Sequence, residues 1–163
     1  MFRLTLALEI GGTQKMPDTW VEDRWNTHRK KLAAIQHEKD LKQKARASFD
    51  SMFHDLAVRV GTDIEAFNET FAKNNESAPL KLLKPDGSSI QITRNGELLT
   101  TAKKEGGIIK IEHGSSRVPS ETMSDRIEVV PDPADDIRYS HKGGILPDVS
   151  DASAIVLSKV FPA

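Results

Sequence analysis

The stretch SIQITRNGELLTTAKKEGGIIKIEHG, residues 89–114, decides the fold class of this chain. Apolar and polar side chains alternate along much of it, which is the two-residue period of a β-strand. Asn95-Gly96 is the strongest short-range hairpin signal, and Gly106-Gly107 supplies a second tight turn. The stretch therefore predicts three antiparallel strands joined by short turns.

Further strand-like segments flank this stretch on both sides. PLKLLK precedes it and leads into the turn Pro85-Asp86-Gly87, while RIEVV and DIRYSH follow it. Because the connections are mostly short, the sequence predicts an antiparallel meander of about five or six strands. One face of the sheet should be apolar and covered by helices. Its side chains are Ile90, Ile92, Ile109, Ile111, Ile127, Val129, Ile137 and Tyr139.

A long helix is predicted before the sheet, because the segment from Thr19 to Val60 contains no Gly or Pro and is rich in helix-forming residues. Its second half carries apolar side chains at the spacing of a helix that packs on a core. They are Phe49, Met52, Phe53, Leu56, Ala57 and Val60. Gly61 is expected to end this helix, and Thr62 to cap a short second helix.

The two ends of the chain have separate predictions. Residues 1–18 form an N-terminal extension, either a short strand, as the alternation from Leu4 to Ile10 suggests, or a disordered segment. Residues 19–163 should form a single α+β domain from which the long helix projects. A short final helix is predicted near residues 150–161, capped by Ser150 or Asp151.

The first half of the long helix is less apolar than the second. Trp25, Leu32, Ile35 and Leu41 stand between many charged residues. These four side chains are too apolar to remain entirely in water and too few to form a core, so we expect them to pack against a second copy of the chain. A monomer whose helix folds back over the sheet is the competing expectation, and the edges of the sheet are a second possible contact surface.

Charge and composition narrow the classes of partner and compartment. The net charge is −1 and the chain has no cysteine, so disulfides, thiolate metal sites and a cysteine nucleophile are excluded. No apolar run is long enough to span a bilayer, and Glu9 interrupts the N-terminal one, so we expect a cytoplasmic protein without membrane contact. The helix over residues 24–46 is basic, but its cations fall all around it, and we expect no specific binding of nucleic acid.

Motifs for catalysis are weak. The five histidines do not show the spacing of a metal site, and no phosphate loop or nucleophile elbow is present, so no metal and no cofactor is predicted. Asp136, Tyr139 and His141 lie close together in sequence and could carry acid–base chemistry, although Asp136 also suits a turn between strands.

The sequence thus favours a non-enzymatic interaction or assembly module that associates with itself, as a homodimer, or with another protein. One alternative is a small-ligand-binding or weakly catalytic domain that uses Asp136, Tyr139 and His141. The other is a nucleic-acid-binding protein that uses the basic helix 24–46.

Overall fold

The predicted α+β class is confirmed by a computed structural model, which describes the chain over residues 2–114 and 122–161, with side chains from residue 19 onward. A seven-stranded antiparallel sheet has its strands in chain order, and helices cover one face. The elements are α1 (Phe2–Phe67), a π-helical turn (Asn68–Ala72), β1 (Leu80–Leu83), β2 (Ser89–Arg94), β3 (Glu97–Glu105), β4 (Ile108–His113), β5 (Met123–Pro131), β6 (Ile137–His141), β7 (Gly144–Ile145) and α2 (Val149–Leu157).

Tight turns set the order of the strands. Asn95 and Gly96 both have positive φ, 54° and 77°, as the two-residue turn between β2 and β3 requires. Gly106 and Gly107 do the same between β3 and β4, with φ of 60° and 84°. The structure adds β7, a two-residue strand joined to β6 by a turn, which the sequence did not predict. The segment between β4 and β5 falls mainly on residues 115–121, outside the described residues.

The core lies between the apolar face of the sheet and the helices. Six inward-facing side chains of β2, β4 and β5 are buried as the alternation predicted, together with Tyr139 on β6. From α1 the core receives Phe49, Phe53, Leu56, Ala57, Val60, Ile64 and Phe67, and from the C-terminal segment Ala152, Val156, Leu157 and Val160. Apart from Ser140 on β6, which is buried, the polar alternates of the same strands are partly or fully exposed, which gives the sheet one apolar and one polar face.

The predicted helix end at Gly61 is wrong. α1 continues to Phe67, and Gly61 does not have the positive φ of a helix-ending glycine. A side chain at Gly61 would bring a Cβ to 3.3 Å from Leu82 of β1, so the glycine permits close approach of helix and strand. Thr62 donates its hydroxyl hydrogen to the carbonyl of Val58 instead of capping a second helix.

The N-cap of α2 lies two or three residues before the predicted caps, Ser150 and Asp151, and the helix runs from Val149 to Leu157. Its N-cap is Asp148, whose carboxylate accepts a hydrogen bond from the backbone of Ser150, while the Asp151 side chain reaches back to the Asp148 amide. The two carboxylates form a capping box around the first turn. Ser153 on α2 donates to the Asp63 carboxylate on α1 at 2.6 Å, and this contact ties the two helices together.

The backbone groups into two compact units, Met1–Leu41 and Lys42–Ala163. The helix begins at Phe2, so residues 4–10 are helical and the strand proposed for them is not present. The predicted division of the chain at residue 18 stays a prediction. Within the described residues, no helix combines the length and the apolar character needed to cross a membrane.

Candidate functional site

The first candidate surface is the helical segment over residues 19–41. Trp25, Leu32 and Ile35 are exposed by 57%, 54% and 51%. Leu41 differs, because it is only partly exposed and, nine residues after Leu32, lies about 180° around the helix from it. Three of the four side chains proposed for self-association thus share one side of the helix, and Leu41 does not.

Two more residues complete this side of the helix. Val21 and His28 are both exposed and continue the spacing of Trp25, Leu32 and Ile35. The indole of Trp25 stacks on the imidazole of His28, with ring centroids 5.5 Å apart. We call Val21, Trp25, His28, Leu32 and Ile35 the helix seam.

The basic side chains of the same region do not form a single surface. They are all exposed, and they occupy every side of the helix rather than one stripe. Two of them lie over indole rings: Arg24 over Trp20 at 4.7 Å and Arg29 over Trp25 at 5.9 Å. Such stacking covers part of each ring and is worth about 0.5–1 kcal/mol at an exposed position.

Asp136, Tyr139 and His141, proposed as an alternative site, are not brought together. Asp136 is exposed in the turn before β6, where its amide donates to Asp132. Tyr139 is buried and its hydroxyl donates to the backbone carbonyl of Met52 at 2.5 Å. Burial, and secondarily the charge of Asp55, raises the pKa of Tyr139 well above its usual value. The phenol therefore acts as a structural donor to α1.

His141 belongs to a different cluster, which sequence reasoning missed. Nε2 of His141 lies 2.8 and 2.9 Å from the two carboxylate oxygens of Asp125 on β5. On β4, Nδ1 of His113 lies 3.1 Å from the hydroxyl of Thr100, its direct cross-strand neighbour on β3. Four neighbouring strands thus each contribute one polar side chain to the apolar face. We call Thr100, His113, Asp125 and His141 the polar row.

The environment of the polar row perturbs two of its groups. Burial lowers the pKa of His113, with the Asp125 charge opposing and the Lys159 charge adding to that effect. For Asp125, burial acts to raise the pKa, but hydrogen bonds from His141 and from the Arg126 amide bring it below its usual value. Asp125 is therefore ionised and His113 neutral near pH 7.

A signal for this cluster was present in the sequence. Asp125 has the same strand parity as Ile127 and Val129, and His113 the same parity as Ile109 and Ile111. Burial of a charged or titratable side chain costs free energy unless the group is paired. Such a residue at an inward-facing position therefore indicates a candidate functional site. In the part of the chain that the structure describes, no group of three or more His, Asp or Glu side chains is placed to hold a metal ion.

A cavity of about 460 Å³ lies beside the polar row. The sheet contributes His113, Asp125 and His141 to its wall, the turn after β6 contributes Lys142, and the C-terminal segment contributes Ile155 and Lys159. This volume is within the usual range for small-molecule sites.

In comparisons with known proteins, no family model matches this chain, and neither a curated protein nor a solved structure does. Two features of the molecule therefore remain as indications of its function: the helix seam, and the polar row with its cavity.

Proposed function

We propose that this protein is a non-enzymatic assembly module that self-associates by antiparallel pairing of its helix seam. The observation that carries the proposal is the exposure of Trp25, Leu32 and Ile35, each more than half accessible on one side of one helix. Large apolar side chains grouped in this way mark surfaces that bind other proteins.

The spacing of the seam supports a helix as the partner. Its five residues are separated by four, three, four and three positions, which is the spacing of the a and d positions in a coiled coil. At about 100° per residue they fall within about 80° of one another around the helix axis. A stripe of this width fits the side of a second helix.

Charge complementarity favours a second copy in the antiparallel orientation. In a parallel pair, Arg24 on one helix would lie beside Arg29 on the other, because these residues occupy the flanking g and e positions. In an antiparallel pair centred on residue 30, Arg24 instead lies opposite Glu38 and Trp25 packs against Ile35, and each of these contacts occurs twice by symmetry. Arg29 and Lys31 each lie beside their own symmetry mate, so two like-charge contacts accompany the two Arg24–Glu38 pairs, whereas the parallel pair has only the repulsive Arg24–Arg29 contacts.

The expected affinity is modest. Pairing would cover the exposed halves of six large side chains, three on each copy, at about 1 kcal/mol each, since full burial is worth about 1.5–3 kcal/mol. Lost translational and rotational freedom offsets much of this gain. We therefore expect a dissociation constant between about 0.1 mM and 1 mM.

Sedimentation equilibrium across this concentration range tests the proposal. The wild type should shift from monomer to dimer, and Leu32→Asp with Ile35→Asp should remain monomeric because a charge in the seam must be desolvated on pairing. Ala34→Asp is the matched control, since Ala34 is exposed and lies about 160–200° around the helix from the seam residues Leu32 and Trp25. A wild type that stays monomeric at about 1 mM would end the proposal.

Orientation is tested separately with a spin label on Glu22→Cys, a unique thiol in a chain without cysteine. Antiparallel pairing centred on residue 30 separates the two labelled positions by about 24 Å along the axis, whereas parallel pairing places them side by side. Binding to a mixed DNA and RNA pool should be measured over a range of salt. Affinity that falls steeply with salt, without dimer formation, would replace self-association by the nucleic-acid function of helix 24–46.

A further inference from the structure

The polar row occupies a place in the core that apolar side chains could fill. Thr100 and His113 are 0% and 5% exposed, at the end of an otherwise apolar sheet face. Buried polar groups cost free energy unless they are hydrogen-bonded, and one hydrogen bond satisfies only one nitrogen of His113. Its other ring nitrogen has no hydrogen-bond partner among the described residues, although the ring lines the cavity.

The cavity wall carries uncompensated positive charge. Lys142 and Lys159 line it, and neither has a carboxylate within ion-pair distance in the described part of the chain. Asp125 is the one carboxylate among the described lining residues, and it is already bound by His141 and by the Arg126 amide. Both lysines line the same cavity as His113 and Asp125.

From this arrangement we propose that the cavity binds a small molecule through a phosphate or carboxylate group, held by Lys142, Lys159 and Nε2 of His113. The proposal includes the tautomer in which the Thr100 hydroxyl donates to Nδ1 of His113. The neutral ring then carries its proton on Nε2 and donates it to the anion. The two ammonium groups supply charge-assisted hydrogen bonds.

The remaining lining residues of the cavity select the ligand by its size and orient it. Met123, Ala154 and Ile155 give the cavity an apolar portion beside the charged one. A ligand with an anionic head and a short carbon skeleton satisfies both portions, as is usual for small-molecule sites. His141 contacts both carboxylate oxygens of Asp125 in the same wall.

The test follows the imidazole signals of His113 and His141 by NMR at pH 7 during titration of the full chain. Sodium phosphate and sodium succinate are used in separate arms, with sodium chloride at matched ionic strength as reference. We expect a saturable shift of the His113 signals with at least one of the two anions and none with chloride. The arm that saturates at lower concentration identifies phosphate or carboxylate as the group recognised.

Variants separate a built site from general charge attraction. Lys142→Gln and Lys159→Gln should each weaken binding by about tenfold, because each removes one charge-assisted hydrogen bond. Lys81→Gln is the matched control, an exposed lysine on β1 outside the cavity lining, and it should bind as the wild type does. The proposal is overturned if neither anion gives a saturable shift up to about 20 mM. Equal weakening in all three variants, or equal shifts with chloride, would overturn it too.

Discussion

Leu56→Ala tests the packing of α1 on the sheet most directly. Leu56 is 0% exposed within the core formed by α1, α2 and the sheet. The substitution removes three carbon atoms, and their lost burial is worth about 2.4 kcal/mol at about 0.8 kcal/mol per methylene. Because hydrogen-bonded strands on the other side restrict collapse, a cavity remains, and the total loss in the free energy of unfolding should be about 3–5 kcal/mol.

The matched control is Leu32→Ala, the same chemical change in the same helix at a side chain that is 54% exposed. Alanine is the better helix former, so this variant should change the free energy of unfolding by less than about 0.5 kcal/mol. Both are measured by urea unfolding with far-UV circular dichroism, at about 1 µM protein so that self-association does not contribute. Hydrogen exchange of the Ile109 and Ile111 amides reports the opening of the sheet itself.

Equal losses of stability in the two variants, or a loss below about 1 kcal/mol for Leu56→Ala, would contradict the packing of α1 on the sheet. Either result would mean that the second half of α1 does not form part of the core. If the slope of the free energy of unfolding against urea concentration changes, and not only the midpoint, the substitution has affected the unfolded ensemble instead.

Three further predictions concern polar groups. Ser153→Ala should cost about 1.5–3 kcal/mol in urea unfolding, because it removes a fully buried donor to the Asp63 carboxylate, and a loss below about 0.5 kcal/mol would contradict the contact. Asp148→Ala should cost about 1 kcal/mol by removing the N-cap of α2, whereas Asp148→Asn should retain most of the stability in the same assay. Burial lowers the pKa of His113 below its ordinary 6.5, so the unfolded chain binds this proton more readily than the folded chain does. The free energy of unfolding should therefore fall as pH is lowered below about 6.5, with a slope of at most about 1.4 kcal/mol per pH unit. His113→Gln should make that fall shallower below about pH 6.5, and parallel pH curves for variant and wild type would contradict the prediction.

The sheet was predictable because its signals are local. Asn95-Gly96 fixes a turn by backbone geometry alone, and the alternation around it fixes which side chains face inward. Gly61 was misread because a glycine near the end of an apolar stripe can either end a helix or permit close packing. The choice between these two roles depends on Leu82, which is distant in sequence but lies close to Gly61 in the fold.

The two candidate sites differ in the same respect: the helix seam is local in sequence, and the polar row is not. The sparse apolar pattern of Trp25, Leu32 and Ile35 lies within one helix and can be read from the sequence. Their exposure was left open there, because a helix folded back over the sheet was the competing expectation. The polar row depends on the register of β3 to β6, which brings His113, Asp125 and His141 to one end of the sheet from positions up to 28 residues apart (141 − 113). The sequence instead groups His141 with its chain neighbours Asp136 and Tyr139, because the register of these strands cannot be read from the residues.

The order of the elements along the chain has a consequence for synthesis on the ribosome. Every strand pairs with its neighbours in sequence, so each hairpin can close within about 1–10 µs of emerging. The apolar side of α1, however, is made before any strand, and α2 ends 90 residues after Phe67 (157 − 67). At about 5–20 residues per second, that side stays incompletely covered for about 5–18 s. The period in which the nascent chain is open to chaperones or to aggregation is therefore set by translation speed, and slower translation of residues 68–157 should lengthen it.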